Sequence, residues 1–113
     1  MKVKVPSEQL EAIRLVDFLR SRGLRFAHVP NGGPSKKQNT KNKQLGVSRG
    51  CPDYLILLPG SGVLWLELKR VKGGRVSPEQ KEWVEALNKL PGQFAYVAYG
   101  FEDAKRLVEK HLV

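Results

Sequence analysis

Apolar residues along this chain recur with two different periods, and the switches between them predict the order of elements. Over residues 7–22, Ala12, Leu15, Val16 and Leu19 fall at helical spacing, with Ser7 as the N-cap after Pro6 and Gly23 as the stop. Residues 24–29, LRFAHV, predict a short strand that ends at VPNGG. Two apolar runs, 53–58 and 63–69, flank Pro59-Gly60-Ser61-Gly62 and predict a hairpin. Ser77-Pro78-Glu79-Gln80 then opens a second helix, with Ser at the cap and Pro at the first helical position. Its buried stripe is expected to be Trp83, Val84, Leu87 and Leu90, and Pro91-Gly92 ends it. FAYVAY, 94–99, predicts a last strand, and FEDAKRLVEKHL, 101–112, a closing helix.

The path from strand 63–69 through a helix to strand 94–99 is a crossover, so these two strands are expected to lie parallel in a mixed sheet. The expected architecture is α/β, a sheet of about four strands flanked by helices. No repeat or linker divides the chain, and one domain is expected over residues 1–113.

At one end of the hairpin the apolar pattern breaks. Asp53 opens the first strand, while Glu67 and Lys69 close the second. Alternation turns Trp65, Glu67 and Lys69 to one face and Leu64, Leu66 and Leu68 to the other, with Glu67 and Lys69 about 6.6 Å apart along the strand. A three-residue loop over 59–61 places Asp53 directly opposite Glu67, and a four-residue loop shifts this register by one. Facing carboxylates at the end of two apolar strands repel, so a cation has to compensate. Lys69 is one candidate, and the cluster is then simply a paired or solvated strand end. The other is a divalent metal held by Asp53 and Glu67, whose hard oxygen donors suit Mg²⁺ or Mn²⁺. Lys69 would then position or help deprotonate an attacking water and stabilise charge on a phosphate. Spacing alone leaves both open.

A third carboxylate can come from the first helix. Glu8 lies four, seven and eleven residues before Ala12, Leu15 and Leu19, along the expected buried stripe, whereas Glu11 lies toward its edge. Glu8 is therefore the better candidate, although an acid in a first helical turn is also favourable without any ligand. Gln80 has two readings as well: a capping-box partner of Ser77, or a polar group turned into the site.

Charge narrows the choice of partner. Twenty Lys and Arg against eleven Asp and Glu give a net charge of +9, which attracts polyanions and makes nucleic acid the leading partner. Residues 31–50 hold Lys36, Lys37, Lys41, Lys43 and Arg49 and no acid, and the turn KRVKGGRV adds Arg70, Lys72 and Arg75. Both stretches are expected to contact a nucleic-acid backbone. Tyr54, Trp65, Tyr96 and Tyr99 form no recognisable RNA-stacking platform on the strands. The single cysteine, Cys51, excludes an intrachain disulfide and reads as a small buried hydrophobe rather than a nucleophile. No apolar run approaches the roughly 18 residues of a membrane span. MKVKVPSEQ lacks the apolar core of a signal peptide, so a cytoplasmic protein is expected.

Asp53 followed by Glu67-Leu68-Lys69, with Glu8 upstream on a helix and Gln80 downstream, resembles the PD-(D/E)XK nuclease superfamily. Within it the chain resembles the virus-type replication-repair nuclease (VRR-NUC) domain. The matching pieces are Glu8 heading a helix that ends DFLRSRG, then VPNGG, GVSRGCPDYLIL, LELK and GGRVSPEQKEW, in the family's order and across essentially the whole chain. The resemblance implies a restriction-endonuclease-like core and a metal-dependent DNA endonuclease. Glu8, Asp53, Glu67 and the backbone carbonyl of Leu68 would hold Mg²⁺ or Mn²⁺, Lys69 would be the catalytic lysine, and Gln80 would support the site.

It further implies a stand-alone viral or bacterial enzyme, cytoplasmic in the bacterium or infected cell, that cuts branched DNA such as four-way (Holliday) junctions as a homodimer. A junction presents two symmetric scissile phosphates and one chain offers one site, so paired incision calls for a two-fold dimer. The chain departs from the pattern at Cys51, where a small aliphatic residue is expected before Pro52-Asp53, and in the basicity of the insert before Gly46. Two alternatives stand beside this reading: a non-cleaving module of the same fold that binds branched or single-stranded DNA, and an RNA-directed nuclease or ribonucleoprotein component. Against the first, a pure binder has no use for the repulsion between Asp53 and Glu67.

Overall fold

A computed structural model describes residues 7–30 and 44–112. Its elements run α1 (Glu8–Ser21), β1 (Phe26–His28), β2 (Tyr54–Leu58), β3 (Gly62–Lys69), α2 (Pro78–Asn88), β4 (Gln93–Tyr99) and α3 (Phe101–His111). The strands form one mixed sheet in the order β1-β2-β3-β4, antiparallel except for the parallel β3–β4 pair made by the α2 crossover. The hairpin pairs Tyr54 with Leu66 and Leu58 with Gly62, which leaves 59–61 as the three-residue loop. Gly62 is required there: its φ is 133°, and a Cβ would stand 2.1 Å from the Gly92 carbonyl oxygen.

Alternation along β2 and β3 separates the two faces of the sheet. Tyr54, Ile56, Leu58, Leu64, Leu66 and Leu68, with Ala98 of β4, pack against Leu15 and Leu19 of α1 and Ala104, Leu107 and Val108 of α3. Each fully buried leucine here contributes about 1.5–3 kcal/mol by leaving water. The opposite face carries α2 over β4, with Leu87 and Ala95 buried between them.

Three local expectations need correction. Leu90 is exposed, and Trp83 and Val84 are only half-buried, so Leu87 alone forms the buried stripe of α2. The helix stops at Asn88, whose side-chain amide bonds the N–H and C=O of Ala95 at 2.8 and 2.9 Å, and Leu90 falls beyond it. The first strand is shorter than 24–29, because the N–H of Leu24 closes the end of α1 on the carbonyl of Leu19 at 3.1 Å, after Gly23 turns with φ 66°. Cys51 is half-buried rather than buried.

Candidate active site

The hairpin register brings the first charges together. Continuing the Tyr54–Leu66 pairing by one residue sets Asp53 across from Glu67, and the Leu68 N–H donates to Asp53 Oδ2 at 2.9 Å. The Asp53 carbonyl accepts from the N–H of Val29 at 2.6 Å, which fastens the end of β1 to the same point. Glu67 is 2% exposed, and its Oε1 has no hydrogen-bond partner. Lys69 Nζ stands 3.9 Å from Glu67 Oε2.

Burial, then a hydrogen bond to Asp53 and the Asp53 charge, push the Glu67 carboxyl up to about 9, with Glu8 adding to the rise and Lys69 opposing it. Glu67 is therefore protonated at neutral pH and donates a hydrogen bond to the Asp53 carboxylate. Lys69, across 3.9 Å, opposes this rise without cancelling it. Burial first, then Glu67 and Asp53, also push the Cys51 thiol up, which is the opposite of activation.

The α1 side of the same strand end is open. Glu8, Gln9, Ala12, His28, Asp53, Tyr54 and Leu68 line a cleft of about 250 Å³. The expected placing of the two acids on α1 is reversed: Glu8 is exposed, while Glu11 is 3% exposed. Helical angle alone put Glu8 on the buried stripe, but it lies at the exposed tip of α1. Glu11 is covered by the start of α3, where its Oε2 accepts from the N–H of Phe101. Gly100, the N-cap of α3, offers no side chain of its own, so Glu11 serves as that helix's cap from 90 residues away. Of the two acids, Glu8 faces the cleft.

Other candidates surround these. Gln80 is the capping-box residue: its Oε1 accepts from the Ser77 N–H at 2.9 Å, and its own N–H donates to Ser77 Oγ at 3.2 Å. Arg49, Arg70, Lys72 and Arg75 are exposed, although Arg70 Nε is turned onto the Lys72 carbonyl at 3.0 Å. Lys36, Lys37, Lys41 and Lys43 lie outside the described residues.

Sequence reasoning passed over three residues that shape the site. His28 enters the cleft from β1. Gly50 lets the chain before Asp53 lie against α2, since a Cβ would come within 2.8 Å of the Gln80 nitrogen. Gly74 lets the following turn close on Lys69, where a Cβ would stand 2.8 Å from the lysine Cβ. The repeated glycines of GVSRGC and KGGR were the signal for the last two.

The donor set fits a hard divalent cation. A buried carboxyl with an unpartnered oxygen, hydrogen-bonded to a second carboxylate, is the arrangement an ion would relieve by displacing the shared proton. Among the described residues, no three His, Cys, Asp or Glu side chains already converge to hold a metal. Asp53 and Glu67 form the close pair, and Glu8, at the helix tip, shares the α1-side cleft with Asp53 but not with Glu67.

No family model matches the chain, and no curated protein matches it. A solved structure described as a VRR_NUC domain protein superposes with a TM-score of 0.80, covering 97% of this chain and 91% of its own at 24% identity. The chain thus shares the fold of that VRR_NUC domain structure, an α/β architecture with a four-stranded mixed sheet. No helix among the described residues is long and apolar enough to cross a membrane.

Proposed function

We propose that this protein is a divalent-metal-dependent endonuclease that hydrolyses phosphodiester bonds in branched DNA, four-way junctions foremost, and that it acts as a homodimer. The observation that carries this reading is Glu67: a buried carboxyl with an unpartnered oxygen, held against Asp53 and beside Lys69 at a strand end of a nuclease-type fold.

Asp53 and Glu67 would hold Mg²⁺ or Mn²⁺, with Glu8 completing the set from α1. The Leu68 carbonyl is available as well, because the N–H and C=O of one extended residue point to the same side and the Leu68 N–H points at Asp53. When bound, the ion supplies Lewis-acid stabilisation of the phosphate and activates water. Lys69, 14% exposed, directs its ammonium along the same face, where it orients the attacking water and stabilises charge developing on the phosphate oxygens. Gln80 holds the start of α2 in place by its cap, and its part in the reaction is positional. Arg49, Arg70, Lys72 and Arg75 contact backbone phosphates, and the lysines of the basic stretch 31–43 add positive charge for the same polyanion. Two copies related by a two-fold axis present two sites to the two symmetric strands of a junction.

The test is a cleavage panel of four-way, forked, duplex and single-stranded DNA, with matched RNA branches, in Mg²⁺, Mn²⁺ or EDTA. Metal-dependent cutting that favours branched DNA and disappears with Glu67→Ala is the expected result. Cutting in EDTA, or full activity of Glu67→Ala, overturns the mechanism. The exposed position of Glu8 and the lack of three converged ligands among the described residues favour one competitor, a DNA-binding module that does not cut. Junction binding by the wild type without cleavage in either metal would establish that competitor.

A further inference from the structure

We infer that His28 is a substrate-contacting residue of this site, hydrogen-bonding a backbone phosphate next to the cut bond from the α1 side of the strand end; this rests on the nuclease reading. In the sheet order, β2 lies between β1 and β3, so Asp53, just before β2, has Val29 and the neighbouring His28 on its β1 side and Glu67 on its β3 side, with Lys69 two residues further along. His28 pairs with Tyr54 across the β1–β2 ladder, which turns its side chain to the α1 face, whereas Glu67 and Lys69 turn to the α2 face. Lys69 therefore does not serve the α1 side of Asp53.

The chemistry of the cleft makes His28 distinct. Its lining is Glu8, Gln9, Ala12, His28, Asp53, Tyr54 and Leu68, and His28 is the one side chain among these able to carry positive charge. Two carboxylates repel a phosphate that enters from this side. A metal would offset their charge, and an imidazole adds a directional N–H that persists in both protonation states.

Although the residue is exposed, its surroundings orient it. The ring lies 5.1 Å from that of Tyr54, and the next residue, Val29, donates its N–H to the Asp53 carbonyl at 2.6 Å. A surface histidine that served only as a cover for Tyr54 would need no partner beyond that ring. Here it also borders the cleft that Glu8 and Asp53 share.

Two substitutions separate these roles. His28→Phe keeps a ring on Tyr54 and removes the N–H, whereas His28→Gln removes the ring and keeps an N–H donor. For a phosphate contact, His28→Phe lowers kcat/KM on a four-way junction about tenfold, by the size expected of a hydrogen bond to a charged group. The loss falls mainly in KM and is equal on junctions of unrelated sequence. His28→Gln recovers most of it, and the melting temperature of His28→Phe stays at the wild-type value. A cleavage rate for His28→Phe within twofold of wild type overturns the inference, as does a loss that His28→Gln fails to recover. Wild type and Glu67→Gln run in parallel keep the two readings apart. If wild type does not cut, the nuclease reading has failed, and junction affinity by fluorescence anisotropy then decides on His28 by the same ratio.

Discussion

The two sides of the strand end are built in different ways. On the α2 side, Glu67 and Lys69 come from one strand, two residues apart, and the hairpin register delivers Asp53 to them. In that half Glu67 is buried and Asp53 and Lys69 are half-buried, and it holds its electrostatic conflict before any ligand arrives. On the α1 side, Glu8 comes from a helix tip and His28 from a three-residue edge strand, and both are exposed. On the proposed nuclease reading, the first half would fix the chemistry and the open half would control how a phosphate reaches it. Losses should therefore be steep on the first side and graded on the second.

The steepest is Glu67→Gln, which keeps the shape and neutral charge of the protonated side chain but cannot ionise to meet a cation. Cleavage of a four-way junction in Mg²⁺ should fall on the order of 10³-fold or more, with melting near pH 5 unchanged. A drop of less than tenfold would remove Glu67 from the centre of the site. Lys69→Met should lower the rate by about 10²–10³-fold, the scale of losing a group aimed at transition-state charge.

The same residue predicts a pH dependence of stability. Folding raises the Glu67 carboxyl from its ordinary 4.5 to about 9, so between these values the folded chain holds a proton that the unfolded chain has released. The contribution is fully present below about 4.5 and is lost as pH rises toward 9. Melting temperatures in EDTA should thus decline from pH 5 to pH 9 for wild type, with a shallower decline for Glu67→Gln. Saturating Mg²⁺ should also flatten the wild-type slope, because an ion that binds the carboxylate replaces the proton. Equal slopes for wild type and Glu67→Gln in EDTA would mean that Glu67 is not the buried acid responsible.

On the open side, the two acids of α1 should separate cleanly. Glu8→Gln should reduce cleavage about ten- to a hundredfold while leaving stability intact, as expected of a solvent-exposed contributor to a metal set. Glu11→Gln should leave the rate near wild type and destabilise the fold by about 1–2 kcal/mol through the weakened cap on α3, read as a lower melting temperature. The opposite pattern would make Glu11 the functional acid.

This division also explains what could be read from the sequence. Element order, the crossover and the Asp53–Glu67 register follow from local periodicity and a short turn, both of which a linear chain displays. Whether α1 buries Glu8 or Glu11 depends on where α3 lands, about 90 residues later, and no helical wheel contains that information. Leu90 looked like core for a similar reason: the Asn88 side chain ends α2 by bonding Ala95 on a neighbouring strand. His28 was overlooked because a lone histidine on a short strand gives no spacing signal until the sheet pairs it with Tyr54.

The smallest expected effect probes the wall behind Lys69, on the α2 side. Gly73 and Gly74 are adjacent but differ in what they require. Gly73 has φ 80°, a left-handed conformation that disfavours a side chain, and a Cβ there would meet only the Arg70 guanidinium, at 3.4 Å. Gly74 lies outside that region, yet its Cβ would stand 2.8 Å from Lys69 Cβ and 3.1 Å from the Arg70 carbonyl oxygen. Gly73→Ala should therefore destabilise the protein by about 1–2 kcal/mol and leave cleavage within about twofold of wild type. Gly74→Ala should displace the root of Lys69 and slow cleavage about five- to tenfold, mainly in kcat, because a small misplacement of a reacting group lowers rate more than binding. If Gly73→Ala produced the kinetic loss and Gly74→Ala did not, the turn would matter to the site only through its backbone conformation, and Lys69 would be positioned by β3 alone.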